Sequence, residues 1–259
     1  MRRNGAPHTQ KGTARADFRS QPHQIHLHFF FPQQSAGYAV TLDGRALATP
    51  ARKPLILPTR ALALAIAAEW GWQAGRVRPH TMPLMSLAAT AIDEPKPAGA
   101  VAATLLDYLH TDAALCLPGE PGTDLGDAHA AAFGPVTAWA AATFGAPFVP
   151  STSIFGAVQP AAALAGVRDH LLALDRWELA ATAAAAGTCK SVLLGLALVE
   201  SAVSVADAIA AARLEEDVQA DEWGRVEGGH DLDAAGAAVN VAAPAVFVRL
   251  ARHRPAAEG

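Results

Sequence analysis

Pro118-Gly119-Glu120-Pro121-Gly122 divides this chain into halves of different character. Two prolines and two glycines in five residues interrupt both helix and strand ladder, so the stretch is a linker. Before it lie short alternating runs between turn residues; after it lie long alanine-rich runs with helical spacing. The fold class expected is therefore α+β: a small, mostly antiparallel sheet with helices over residues 25–118, then an all-helical C-terminal domain over residues 119–259. Residues 1–24 carry Arg2, Arg3, Lys11, Arg15 and Arg19 against only Asp17, with almost no apolar stripe, and read as a disordered basic tail.

Upstream of the linker, Ile25, Leu27, Phe29 and Phe31 alternate with His26 and His28, the pattern of a half-buried strand. The two histidines have no third ligand nearby in sequence and read as facing outward. Residues 38–42 form a second strand, Asp43-Gly44 a hairpin turn of the primed type that makes Gly44 fold-critical, and residues 45–47 the return strand. Leu55-Ile56-Leu57 is another short strand between prolines. Thr59 caps a helix from about Arg60 to Gln73 that Gly75 ends, with Leu62, Ile66 and Trp70 on one stripe. Trp70 is thus expected in the core and Trp72, off that stripe, more exposed. A second helix opens with Pro83 in its first turn, a third ends near Leu109, and residues 113–117 look like a strand returning to the sheet.

Downstream, helices are expected over about 125–144, 161–174, 175–186, 191–201, 205–223 and 231–252. Thr188 is expected to cap the fourth of these, Asp231 the last, and Pro244 to bend that last helix. In the 205–223 segment Leu214, Val218 and Trp223 fall near one stripe that can face a core. Glu215, Gln219 and Glu222 line another at i, i+4, i+7. Five acids between residues 214 and 223 stand out in a protein with 17% charged residues.

Hydrophobic residues make up 51% of the chain, much of it alanine, and aromatics only 6%, so its core must come from close helix packing. A net charge of −4 argues against a nucleic-acid or polybasic membrane surface. No membrane insertion is expected: the run from Val192 to Val199 falls far short of the ~20 residues a bilayer needs. Cys116 and Cys189 lie far apart in apolar surroundings and read as free, buried thiols.

Reactive constellations are missing. The chain has no H-E-x-x-H, C-x-x-C or G-x-S-x-G pattern, and in Gly187-Thr188-Cys189-Lys190-Ser191 a cysteine stands where a phosphate loop needs glycine. No catalytic residue, cofactor or metal is therefore expected. One alternative stays open, a metal-dependent hydrolase using Glu215, Glu222 and His230. Another is a helical adaptor for some other partner.

Several ordered segments carry a family likeness: Leu42-Asp43-Gly44-Arg45, Leu57-Pro58-Thr59, Glu69-Trp70 with Gln73, and Thr81-Met82-Pro83-Leu84 with Ala91-Ile92-Asp93. Thr111-Asp112, Lys190-Ser191, and Arg213-Leu214-Glu215-Glu216 with Gln219, Trp223-Gly224 and His230-Asp231 follow. In this order and spacing the chain resembles the assembly chaperones of the F-type ATP synthase catalytic head, which attend the alpha subunit in mitochondria and alphaproteobacteria. The resemblance runs from about Tyr38 to the last helix. It departs at Val218, where the family has an aromatic, at Ala89, where it has asparagine, and in the first strand.

The resemblance implies a two-domain binding protein without catalytic activity or cofactor, monomeric when free, with the unassembled alpha subunit as transient client. It implies a soluble protein, cytoplasmic in a bacterium or in the mitochondrial matrix of a eukaryote. The acidic position matching Glu215 is indispensable in that family. Glu215, Glu216, Gln219, Glu222, Trp223 and Trp72 are the expected partner-binding residues. Trp70, His230, Asp231 and Gly44 are the expected fold-critical ones.

Overall fold

The computed structural model describes residues 25–30, 37–94, 96–118, 122–153, 155–224 and 228–253, the first of these stretches by its backbone alone. The expected basic tail, the outward-facing side chains of His26 and His28, and the Pro-Gly linker at 119–121 lie outside what is described.

The described residues form an α+β fold. Its strands are β1 (Ile25–Phe30), β2 (Gly37–Leu42), β3 (Arg45–Ala46) and β4 (Ile56–Leu57). Its helices are α1 (Arg60–Gly71), α2 (Pro83–Asp93), α3 (Ala98–Tyr108), α4 (Asp124–Phe144) and α5 (Ala161–Ala173). They continue with α6 (Arg176–Cys189), α7 (Val192–Val199), α8 (Val205–Ala212), α9 (Leu214–Trp223) and α10 (His230–Arg252).

β2 is the middle of the sheet. β1 pairs with it antiparallel along its full length, Ile25 opposite Leu42 and Phe30 opposite Gly37. On its other edge β3 meets Thr41 and Leu42, and β4 meets Tyr38 and Ala39. The turn between β2 and β3 has Asp43 at φ 50° and Gly44 at φ 76°. Two positive φ values in succession define the primed turn whose twist matches the strands.

Polar side chains bolt the helices together. Thr59 caps α1 by accepting from Leu62 N, and its hydroxyl donates to Leu250 O in the last turn of α10 at 2.6 Å. Glu69, buried near the end of α1, accepts from the backbone N–H groups of Leu84 and Met85, both at 2.8 Å, and so satisfies the start of α2 behind Pro83. Asp93 holds Thr49 and the Ala51 N–H in the turn before β4. Arg252 reaches Glu178 on α6 and Glu200 after α7.

α7 is the centre: all eight of its residues are buried. Around it α4, α6, α8 and α10 pack, and α2 and α6 carry the contact on toward the sheet. Buried side chains from both sides of residues 118–122 form one hydrophobic cluster, from Val40 through Leu193 to Val248. α10 is long and apolar enough, by length and composition, to cross a membrane. Its C-terminal half is instead core, with Val241, Phe247 and Val248 buried against these helices and Pro244 inside the helix.

Close approach of α6 and α7 is what alanine-rich packing requires. A Cβ on Gly195 stands 2.7 Å from Ala186 N, a backbone atom that cannot swing aside. Gly195→Ala is therefore expected to destabilise by about 1–3 kcal/mol despite its better helix propensity. A lower denaturant midpoint at unchanged slope is the measurement; a higher one means the two helices have slack.

Five expectations need correcting. Residues 113–117 are a turn and not a strand: Leu115 N and Cys116 N both donate to Asp112 O, leaving only an isolated bridge between Cys116 and Ser151. The single helix expected over 205–223 breaks at Arg213 (φ −108°, ψ 1°), whose buried guanidinium belongs to α9. Ser191, not Thr188, caps the helix after the turn at Lys190, which itself takes a left-handed φ of 55°. Gly229 is the N-cap of α10, so Asp231 sits in its first turn, where its charge favours the helix dipole without capping it. Helix α1 also stops at Gly71, with Trp72 as its C-cap.

Candidate functional site

The site begins with a buried carboxylate. Asp112 follows a short 3-10 turn and is 1% exposed. One of its oxygens accepts from Ala114 N at 2.9 Å, the other from Val192 N at 2.7 Å and Leu193 N at 3.1 Å. It thus satisfies the first N–H groups of α7 and fixes the turn that follows it. Burial raises its pKa above the ordinary value, opposed by the bonds from Ser191, Ala114, Leu193 and Val192.

That anchor brings three distant segments together. Ala113 N donates to Lys190 O, and His129 from α4, buried and 4.6 Å from the Phe133 ring, donates from Nε2 to Ala113 O at 2.9 Å. Lys190 extends outward to Glu216 on α9, Nζ to Oε1 at 2.9 Å. Arg213, itself buried, grips the same helix from below, pairing with Glu216 at 3.2 Å and Asp217 at 3.0 Å. Between them opens a cleft of about 100 Å³, floored by His129, Phe133 and Cys189 and walled by Glu215, Glu216 and Gln219.

The charge on α9 is therefore uneven. Glu216 faces two cations and Asp217 one, whereas Glu215 and Glu222, both exposed, make no ion pair among the described residues. The helix turns a net negative face outward, with Glu215 at the mouth of the cleft.

The thiols at and beside the cleft are not activated. Burial, with the Asp112 charge, pushes the Cys189 thiol up to about 12, and burial also raises Cys116, helped by the charges of Asp112 and Glu215. Both cysteines are free; Cys189 is buried, whereas Cys116, expected buried, is only half so. Neither is the low-pKa, exposed thiolate that nucleophilic chemistry needs. Among the described residues no three His, Cys, Asp or Glu side chains gather to hold a metal, so Glu215, Glu222 and His230 do not make the hydrolase centre weighed above.

Of the expected partner residues, Glu215, Glu216 and Gln219 line the cleft. Glu222 and Trp223 lie exposed at the far end of α9, and Ala220 is the helix's only buried residue. Trp223, expected on a core stripe with Leu214 and Val218, is 75% exposed. Trp72 is 80% exposed, as its position off the stripe implied, but it ends α1, which packs on the sheet, α2 and α10, whereas α9 rests on α4. Trp70 packs half-buried against the core. His230 is half-buried and Asp231 exposed at the start of α10. The sequence reading missed His129, Phe133 and the capping role of Asp112. A lone acid between Leu109-His110-Thr111 and Ala113-Ala114-Leu115 was the available signal for the last of these.

Comparison with known proteins bears on this arrangement. The model of a family described as ATP12 chaperone protein matches residues 24–141. The mitochondrial protein atp12 of Schizosaccharomyces pombe is 26% identical over 212 residues, covering 77% of this chain and 73% of the relative. The crystal structure of Atp12 from Paracoccus denitrificans shares 33% identity with a TM-score of 0.76, over 88% of this chain and 96% of that one. The Atu1473 protein of Agrobacterium tumefaciens shares 30% identity with a TM-score of 0.78, over 87% and 83% respectively.

Proposed function

The chain belongs to the ATP12 chaperone family, and from that premise we propose that it captures the unassembled alpha subunit of the F-type ATP synthase catalytic head. It covers the face that a beta subunit later occupies and then yields to that subunit. Before assembly such a face is a mixed apolar and charged patch that invites aggregation. A reversible cover for it needs surface complementarity and no chemistry of its own.

One observation carries this reading: among the described residues Glu215 has no ion-pair partner at the mouth of the cleft, while Glu216 and Asp217 beside it are matched by Lys190 and Arg213. An acid at the cleft mouth without a cation, beside two acids of the same turn that are neutralised from below, is a docking group for an arginine or lysine of the client. Gln219, Glu222 and the exposed Trp223 extend that surface along α9, and Trp72 adds a contact from the end of α1. Exposed charge pairs contribute only about 0–1 kcal/mol each, so they set orientation and allow release more than they hold. The free protein is a monomer, working in the bacterial cytoplasm or the mitochondrial matrix according to its source.

Glu215→Lys tests it. The substitution changes an exposed side chain with no bonded partner among the described residues, so the melting temperature should stay within about 2 °C. Co-purification of the alpha subunit should be abolished. Undiminished capture would make the acidic face of α9 merely solvated.

A further inference from the structure

On the far side of the Ala113 turn, the segment carrying Val149, Phe155 and Val158 displays apolar side chains to solvent. Phe155 is 83% exposed and Val158 86%, and half-exposed Tyr108 stands two residues before the His110 that holds them. The display is built and not slack. Gln159, 3% exposed, accepts from Val149 N at 2.9 Å and donates to Val149 O and Ala157 O. Ala157 N donates to His110 O, and His110 Nδ1 receives Gln159 N. Ser151 Oγ donates to Gly156 O and accepts from Ser153 N, and Ser153 Oγ accepts from Phe155 N. Gly156, at φ 70°, lies so close to the His110 carbonyl that any Cβ there collides with it. Gln159 turns inward to brace the segment while two large apolar groups are held outward, the reverse of what an unoccupied surface favours.

We propose that Tyr108, Val149, Phe155 and Val158 form a second, apolar arm of the docking surface, taking a client segment in which apolar side chains lie beside an arginine or lysine. The proposal rests on the reading of Glu215 given above. Continuity and charge argue for that occupant. Ala113 lines the acidic cleft, and within the next four residues Leu115 O accepts from Ser151 N and Leu117 N donates to Ser151 O, so one short turn joins cleft and arm. The Glu215 charge is felt at Cys116, midway along that turn. A ligand seated on Phe155 and reaching the cleft therefore passes from an apolar to an acidic surface. It must carry the matching sequence of side chains.

The experiment compares full-length wild type, Phe155→Ser/Val158→Ser, and Glu215→Lys for binding of purified alpha subunit and for suppression of its aggregation by light scattering. Both variants should keep the wild-type melting temperature, and the loop variant should bind at least tenfold more weakly. Should the paired serines disturb the fold, Phe155→Ala alone, read the same way, decides. Binding within twofold of wild type by the loop variant, with Glu215→Lys inactive, overturns the apolar arm and leaves the acidic site standing. Loss in the loop variant with Glu215→Lys fully active keeps the arm and removes the acidic site. No capture by wild type overturns both. Sedimentation showing that wild type self-associates and the loop variant does not assigns the patch to a second copy of this chain and overturns the proposal.

Discussion

Asp112→Ala is expected to lower the free energy of unfolding by about 3–5 kcal/mol and the melting temperature by about 10 °C, the largest effect of any single polar substitution described here. The side chain serves three backbone donors on two elements, Ala114 N in the turn and Val192 N and Leu193 N at the start of α7. Removing it strands all three away from water, and each buried unsatisfied donor costs about 1–3 kcal/mol. Because α7 is buried along its whole length, no water replaces the lost acceptor. The same loss should loosen the Ala113–Lys190 contact and, with it, the wall of the cleft. A melting temperature within 2 °C of wild type would show that α7 starts without this anchor.

Asp112 also gives a pH dependence of definite sign. Burial outweighs its hydrogen bonds and raises its pKa, and Glu69 is raised for the same first reason, against its bonds from Leu84 and Met85. A carboxyl whose folded pKa exceeds its unfolded one binds its proton more tightly in the folded state. The stability this contributes is fully present below the unfolded value of about 4 and is lost as pH rises through the folded value. Asp112→Asn cannot titrate, so the stability of wild type relative to this variant should shrink as pH is raised from about 4. A difference that instead grows would mean that the three N–H groups hold the carboxylate in its charged form.

Trp70→Arg is the second large effect, expected at about 3–5 kcal/mol with a marked loss of soluble yield. The indole packs against the core from α1, next to the Glu69 that seats α2, and its buried Nε1 has no hydrogen-bond partner among the described residues. An arginine there loses the ring's contacts and drives a cation toward the Leu62 and Ile66 stripe. The paired variant Trp70→Phe separates charge from packing: the N–H it removes had no partner, so the cost should be only about 1 kcal/mol. Equal damage from both substitutions would make ring size, and not charge, the cause.

Much of the sheet half was legible along the chain because its signals are local. The apolar alternation at residues 25–30 and the β-prone run at 38–42 fall on strands, Asp43-Gly44 takes two successive positive φ values, and Thr59 caps the helix it precedes. The same locality made Trp70 a packing residue and Trp72 an exposed one, since their side of α1 follows from the helical repeat. The acidic face of α9 was equally plain, five charges within ten residues.

The sequence by itself therefore determined the α+β class, most of the helices, the hairpin and the run of acids that α9 presents, because each depends on residues within a turn or two of one another. Only the tertiary structure decided where α9 begins, that Trp223 faces water, and which of the acids of α9 are neutralised by Lys190 and Arg213. Those outcomes turn on Asp112, His129, Lys190 and Arg213, residues as far as 101 positions apart whose pairing is set by how α4, α7 and α9 pack. Burial and ion pairing are properties of neighbours in space, and spacing along a chain holds no record of a neighbour that arrives from another helix.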